Sequence, residues 1–84
     1  MNTIEKLENY ILNDIIVDLG VDVDSIGPEE DLLSNGLIDS LGILKLTEFL
    51  EKEFGIKVDD EDIEPENFKN LKALQRFIES RRQK

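Results

Sequence analysis

Apolar residues recur every three or four positions in three separate stretches of the chain, and this spacing predicts three amphipathic helices. Asn2 or Thr3 is suited to cap the first helix and Gly20 to end it, whereas Ser40 and Asn70 precede the apolar runs of the other two. The stripes expected to face the core consist of Ile4, Leu7, Ile11, Leu12, Ile15, Ile16 and Leu19, then Ile43, Leu46, Phe49, Leu50 and Phe54, then Leu71, Leu74, Phe77 and Ile78.

Two connecting stretches lack this periodicity. Residues 21–39 contain turn formers, and we expect a short helical turn over 28–33 and apolar residues that attach the stretch to the helices. Residues 59–66 hold six acidic side chains, which predicts a solvated surface around a one-turn helix anchored by Ile63. Phe68 is expected to fill the core ahead of the last helix, which frays from Ser80 onwards.

The pattern as a whole predicts an all-α fold, a small bundle of three main helices with a short helix and a long first loop. The main helices are expected at about 3–19, 40–54 and 70–81, and the short one at about 59–64. With 84 residues the chain is long enough for one small domain, spanning 1–84. In such a bundle each apolar stripe is buried by the others.

The charge of the chain narrows the choice of partners. Twenty acidic and ten basic residues give a net charge of −10, which repels the phosphates of nucleic acids and anionic membrane surfaces. No stretch approaches the roughly 20 apolar residues of a membrane span, and the first residues lack the pattern of a signal peptide. We therefore expect a cytoplasmic monomer that neither binds nucleic acid nor inserts stably into a membrane.

The chain contains neither cysteine nor histidine, so disulfides, cysteine metal sites and the common hydrolytic triads are excluded. An Asp22-x-Asp24 motif with Gly27 in the sixth position suggests a calcium loop. That interpretation fails because Ile26 and Leu33 stand where the loop requires an oxygen ligand and a glutamate. No catalytic residue and no metal site is predicted.

Ser40 is the serine most favourably placed for chemistry. It follows the polar turn Ser34-Asn35-Gly36 and opens an apolar-periodic run, which predicts that Ser40 is the N-cap of the second helix. A hydroxyl there lies beside outward-pointing backbone N–H groups that favour a phosphate. A cap that bonds only to its own helix would also account for this serine, so the local pattern leaves both interpretations open.

The motif Gly36-Leu37-Ile38-Asp39-Ser40-Leu41, with Glu53-Phe54-Gly55-Ile56 at the end of the same helix, resembles the acyl carrier proteins and their peptidyl and D-alanyl carrier relatives. The resemblance covers roughly residues 31–78, with a matching amphipathic helix in front. It implies an acyl-carrier-like bundle in which Ser40 bears covalent 4′-phosphopantetheine taken from coenzyme A, with Asp39 supporting the modification. That group supplies a thiol, which the chain itself lacks.

The resemblance also implies a function and a set of partners. Such a protein carries an acyl or aminoacyl group as a thioester and is not itself an enzyme. A phosphopantetheinyl transferase would modify it, and an adenylating ligase, a synthase or a transferase would use it. The surface expected to meet these enzymes comprises Leu41, Gly42, Leu44, Lys45, Glu48 and Lys52.

Three of these positions depart from carriers of fatty-acid synthesis. Gly42, Lys45 and Lys52 stand where acidic residues are common in that type, which favours a specialised carrier that works with an adenylating ligase. Gly42 is either a tolerated first-turn glycine or clearance for a docking enzyme or the prosthetic arm. Leu41 is expected to contact partners, and Leu44 to be half-buried.

Two alternative functions remain open. One is a helical protein-interaction domain that keeps the carrier fold and is never modified. The other is a housekeeping carrier of fatty-acid synthesis. The resemblance implies a cargo of fatty-acid, polyketide or nonribosomal peptide biosynthesis.

Overall fold

A computed structural model describes residues 2–16, 20 and 23–82 of the chain. It confirms an all-helical bundle, and the described residues contain no strand. The elements in chain order are α1 (Thr3–Tyr10), a π-helical turn (Ile11–Ile15), α2 (Ser40–Phe54), a 3₁₀ turn (Asp60–Asp62), α3 (Pro65–Phe68) and α4 (Leu71–Arg82). No helix in the described ranges is long and apolar enough to cross a membrane.

Helix α1 begins at a capping box formed by Asn2 and Glu5. Asn2 Oδ1 accepts the Glu5 N–H at 2.8 Å, and Glu5 Oε1 accepts the Asn2 N–H at 3.3 Å. These reciprocal bonds satisfy two of the donors that a helix start leaves unpaired. The cap is therefore Asn2 rather than Thr3.

The first helix differs from the regular α-helix predicted over 3–19. From Ile11 to Ile15 it widens into a π-helical turn, in which the Ile16 N–H bonds to the Ile11 carbonyl. Ile11, Ile15 and Ile16 are all buried, so the wider turn still directs its apolar side chains into the core. Residues 17–19, 21 and 22 lie outside the described ranges, and with them Leu19, the predicted end of the helix and the first position of the calcium-loop motif.

The core forms where the predicted stripes of α1, α2 and α4 meet. Phe68 is fully buried, as expected, and packs beside Phe77 with ring centroids 6.4 Å apart. The most deeply buried side chains are Phe68, Leu7, Ile11, Ile16, Leu32, Leu46, Leu50, Leu71, Leu74 and Ile78. Ile43, Phe49 and Phe54 are partly buried and pack against this cluster.

The acidic stretch forms two short helical segments, whereas the sequence predicted one over 59–64. Pro65 is the first residue of α3, where its missing N–H costs nothing and its fixed φ favours a new helix start. Ile63 is 36% exposed and does not anchor the turn. The anchor is Asp62, whose carboxylate pairs with Arg81 and whose carbonyl accepts the Asn67 side-chain N–H at 2.8 Å.

Helix α4 confirms the predicted inward stripe and its cap. Asn70 Oδ1 accepts the Ala73 N–H at 2.7 Å. The predicted fraying from Ser80 is wrong for residues 80–82, because the helix continues to Arg82, and residues 83 and 84 lie outside the described ranges. Arg81 holds this end by pairing with Asp62 and by lying 5.2 Å above the Phe77 ring centroid.

The long loop is fixed to the start of α4 through the main chain. The Leu32 N–H bonds to the Lys69 carbonyl at 2.7 Å, and the Lys72 N–H bonds to the Pro28 carbonyl at 3.0 Å. Ile26, Leu32 and Ile38 of the loop are buried, which confirms that its apolar residues attach it to the helices.

A first turn in this loop lies at 28–29, within the predicted 28–33, where the Glu30 N–H bonds to the Gly27 carbonyl at 3.1 Å, and a second turn falls at 32–36. Asp31 organises it by accepting hydrogen bonds from Ser34 and Leu33. The bonds from the Ser34 backbone and hydroxyl hold the pKa of the Asp31 carboxyl below its ordinary value of 3.8.

Candidate functional site

Ser40 is the first residue of α2, and the N-cap is Asp39 instead of the predicted Ser40. Asp39 has extended backbone angles, and its Oδ1 accepts the Gly42 N–H at 2.9 Å. Its carbonyl accepts the Ile43 N–H at 2.9 Å. The carboxylate outcompetes the neighbouring hydroxyl for this role because its negative charge also interacts favourably with the helix dipole.

This arrangement leaves the Ser40 hydroxyl available. Ser40 is exposed, and within the described part of the chain its Oγ makes no hydrogen bond. The N–H groups of Ser40 and Leu41 belong to the first helical turn, where the helix itself offers no acceptor. A phosphate esterified to Oγ would therefore lie beside donors that favour its charge.

The segment of chain that leads into Ser40 contains a tight turn at Gly36 and a buried residue, Ile38. Gly36 has a φ of +78°, a left-handed conformation that glycine adopts without steric cost, as the Asn35-Gly36 signal predicts. Asn35 Oδ1 accepts the Leu37 N–H at 3.2 Å. Ile38 is only 3% exposed and its N–H bonds to the Leu32 carbonyl at 3.2 Å. The chain thus enters α2 from a fixed point two residues before Ser40.

Two of the predicted partner-surface residues form an exposed apolar pair beside Ser40. Leu41 is 61% exposed and Leu44 is 57% exposed, so Leu44 is more open than the half-buried position expected of it. Glu48 and Lys52 are exposed further along α2. The surface next to Ser40 therefore combines apolar groups with charges of both signs.

Lys45 and Gly42 are less accessible than predicted. Lys45 is partly buried, and its Nζ lies 3.5 Å from the Asp14 carbonyl oxygen, so it links α2 to the π-helical turn. Gly42 is buried in the first turn of α2, so it offers a docking enzyme little surface of its own.

Sequence reasoning missed two contacts that hold α2 beside α1. The Tyr10 and Phe49 rings stack with centroids 4.1 Å apart, and the Tyr10 hydroxyl donates to the Lys45 carbonyl at 3.0 Å. Burial raises the pKa of the Tyr10 hydroxyl above its ordinary value of 10.0, with a further contribution from Asp14. The helical stripe identified Phe49 but gave no sign of its partner, because Tyr10 lies on the polar side of the first-helix pattern.

The described residues contain no group of three or more carboxylate, histidine or cysteine side chains placed to hold a metal ion. Asp59, Asp60, Glu61 and Asp62 are close in sequence, yet Asp62 is engaged by Arg81 and by the Asp59 N–H at 2.9 Å. The acidic stretch therefore serves the fold of this corner.

Comparison with known proteins identifies the family of the chain. Residues 3–78 match the model of a family described as the phosphopantetheine attachment site. The chain is 34% identical over 62 residues to the acyl carrier protein of Nitratidesulfovibrio vulgaris (strain DSM 19637 / Miyazaki F), covering 74% of this chain and 76% of that protein. It also resembles a chain in a solved structure titled "Crystal structure of FAD-dependent dehydrogenase", with a TM-score of 0.74, 29% identity and coverage of 86% of this chain and 97% of that one.

The chain belongs to the acyl carrier protein family, whose prosthetic group is 4′-phosphopantetheine. The residues at the start of α2 fit such a group, because they provide an exposed hydroxyl that capping does not consume. When bound, the group supplies a thiol, and the chain has none of its own.

Proposed function

We propose that Ser40 is the attachment residue and that the protein presents an acyl or aminoacyl thioester to partner enzymes from the start of α2. The observation that supports this proposal is that the cap and the exposed hydroxyl belong to two different, adjacent residues. Asp39 caps the helix, and Ser40 keeps an exposed hydroxyl at the same helix end. The rest of the chain fixes that end and performs no bond chemistry of its own.

Attachment requires a phosphopantetheinyl transferase and coenzyme A. Ser40 Oγ attacks the phosphorus that bears the pantetheine, forming an O–P bond while the phosphoanhydride bond breaks. Adenosine 3′,5′-bisphosphate leaves with the bonding electron pair, and the serine proton passes to a base of the transferase. Asp39 supports the step by holding the Gly42 N–H, which keeps the first turn formed around the serine.

Intact-mass analysis after incubation with coenzyme A and a permissive transferase tests the assignment. Ser34→Ala and Ser80→Ala are matched controls, because both hydroxyls are bonded locally, to Asp31 at 3.1 Å and to the Phe77 carbonyl at 2.8 Å. We expect the wild type and both controls to gain one phosphopantetheine and Ser40→Ala to gain none. An equal gain on Ser40→Ala would reject Ser40, and no gain on the wild type would favour the unmodified interaction domain.

We also propose that the carrier serves a specialised pathway with an adenylating ligase. The support is the mixed charge of the exposed α2 surface, where Lys52 and Glu48 accompany the apolar pair Leu41 and Leu44. A surface of mixed charge discriminates against partners that present a basic patch. Loading of the modified protein by a panel of adenylating ligases tests this idea, and efficient elongation by fatty-acid-synthase enzymes would overturn it.

The similar solved structure whose title names a FAD-dependent dehydrogenase supports a second candidate partner. A flavin enzyme of that class would oxidise the carried acyl or aminoacyl group while FAD is reduced by the two electrons and two protons removed. Mixing the loaded protein with such an enzyme under anaerobic conditions should bleach the flavin absorbance. A bleach of the same size with the free cargo acid would show that the carrier is not required.

A further inference from the structure

Gly42 lies at the convergence of three parts of the chain, two residues after Ser40. Its N–H is held by the Asp39 carboxylate at 2.9 Å. A Cβ at this position would lie 3.2 Å from Ile38 Cγ2 and 3.3 Å from Ile15 Cγ2. Optimal carbon–carbon contacts are about 3.5–4.0 Å, so the helix backbone itself forms the packing surface here.

Neither isoleucine side chain can easily move away from position 42. Ile15 ends the π-helical turn and is 5% exposed, and Ile38 is 3% exposed in a loop bonded to Leu32. A methyl group at position 42 would require a movement of a few tenths of an ångström. Because both isoleucines are held in place, we expect the first turn of α2 to make that movement. Asp39 and Ser40 belong to that turn and would move with it.

The backbone conformation at position 42 does not require a glycine. Gly42 is inside a regular helix and its φ is not positive, so an alanine would be unstrained there and would favour the helix intrinsically. The close approach of Ile15 and Ile38 is therefore the feature that a side chain at position 42 would disturb.

We propose that Gly42 is a positioning residue for the attachment reaction. Its bare backbone lets Ile15 and Ile38 close on the first turn of α2, and this contact fixes the direction in which the transferase meets the Ser40 hydroxyl. The inference rests on the proposed modification of Ser40 and adds a residue that acts through that serine without touching coenzyme A.

The test measures transfer of phosphopantetheine from coenzyme A to the full chain. Gly42→Ala is expected to lower kcat by about tenfold, since small misplacements of a reacting group are costly, while KM for coenzyme A stays unchanged. Gly27→Ala is the matched control, because a Cβ there would meet Glu30 Cβ at an ordinary 3.9 Å. It should keep the wild-type kcat.

Removing the obstructing methyl groups should restore the reaction. Leucine conserves the volume of isoleucine and lacks Cγ2, so Ile15→Leu or Ile38→Leu combined with Gly42→Ala should return kcat to within about twofold of the wild type. A general loss of stability would not be repaired in this way. Wild-type kcat in a folded Gly42→Ala, or failure of both double variants to recover, would overturn the proposal.

Amide hydrogen exchange tests the positioning role of Gly42 independently of the proposed modification of Ser40. If the wild type accepts no phosphopantetheine, the proposed modification fails, and Gly42 is judged by exchange alone. We expect residue 42 to exchange faster in Gly42→Ala than in the wild type, because the bond to Asp39 is displaced, and to recover in the double variants. Unchanged exchange at residue 42 would overturn the positioning role, whatever happens at Ser40.

Discussion

Asp39 Oδ1 accepts the Gly42 N–H at 2.9 Å, and this bond makes Asp39 the cap of α2 and leaves the hydroxyl of the next residue, Ser40, outside the cap. Had Ser40 been the cap, its hydroxyl would already be engaged. Under the proposed function, adjacent residues therefore divide capping and attachment between them.

Replacing the cap should lower the stability of the fold, whereas replacing the neighbouring serine should not. We expect Asp39→Ala to lower the free energy of unfolding by about 1 kcal/mol. Ser40→Ala should change it by less than about 0.5 kcal/mol, because Oγ makes no bond within the described residues. Urea denaturation of both variants provides the measurement, and an equal loss in the two would mean that Ser40 shares the cap.

The exposed apolar pair should matter for partners and little for the fold. Leu41→Ala and Leu44→Ala are expected to change stability by less than about 0.5 kcal/mol. Both should raise the KM of the transferase or ligase for the carrier. Leu46→Ala is the contrasting variant, because Leu46 is fully buried and its truncation should cost about 2–5 kcal/mol. Unchanged KM in both surface variants would contradict a docking role.

The partly buried pair of Arg81 and Asp62 should stabilise the end of α4. The Arg81 side chain is 28% exposed and that of Asp62 is 13% exposed, so solvent screens their interaction incompletely. We expect Arg81→Ala to lower the free energy of unfolding by about 1–2 kcal/mol. Arg82→Ala, at an exposed neighbouring position, should have almost no effect in thermal or urea unfolding. Equal effects of the two substitutions would show that only general charge matters.

Asp31 should contribute to stability at neutral pH and not in strong acid. Because the bonds from Ser34 lower its pKa in the folded chain, its contribution is present above the ordinary value of 3.8 and disappears as the pH falls through the lower folded value. Asp31→Ala should therefore destabilise the protein at pH 7 and lose that effect near pH 2. Asp24→Ala serves as an exposed control in urea titrations at both pH values, and a pH-independent effect at Asp31 would contradict this account.

Features set by local sequence were predictable. Periodicity predicts α2 and α4, and residue type predicts the cap Asn70 directly and Asn2 as one of two candidates. The Asn35-Gly36 turn followed from its residues in the same way. Ser40 was singled out by its motif, although the cap was placed one residue too late.

Features set by contacts between distant residues were not predictable. The burial of Gly42 depends on Ile15 and Ile38 approaching from either side, and a helical pattern carries no information about such an approach. The π-helical turn follows no propensity visible in the sequence. Ile63 was expected to be buried because it is the one apolar residue among acids, yet the ion pair of Asp62 with Arg81 anchors that corner instead.

The two main-chain bonds between the long loop and the start of α4 join parts of the chain that are synthesised at different times. The Leu32 to Lys69 and Lys72 to Pro28 bonds join residues roughly forty positions apart, so the loop cannot be fixed until the last third of the chain has been made. A chain still emerging from the ribosome lacks the partner groups that hold the approach to Ser40. An enzyme that recognises the shape of the loop before Ser40 would consequently distinguish chains that already contain α4 from chains that do not.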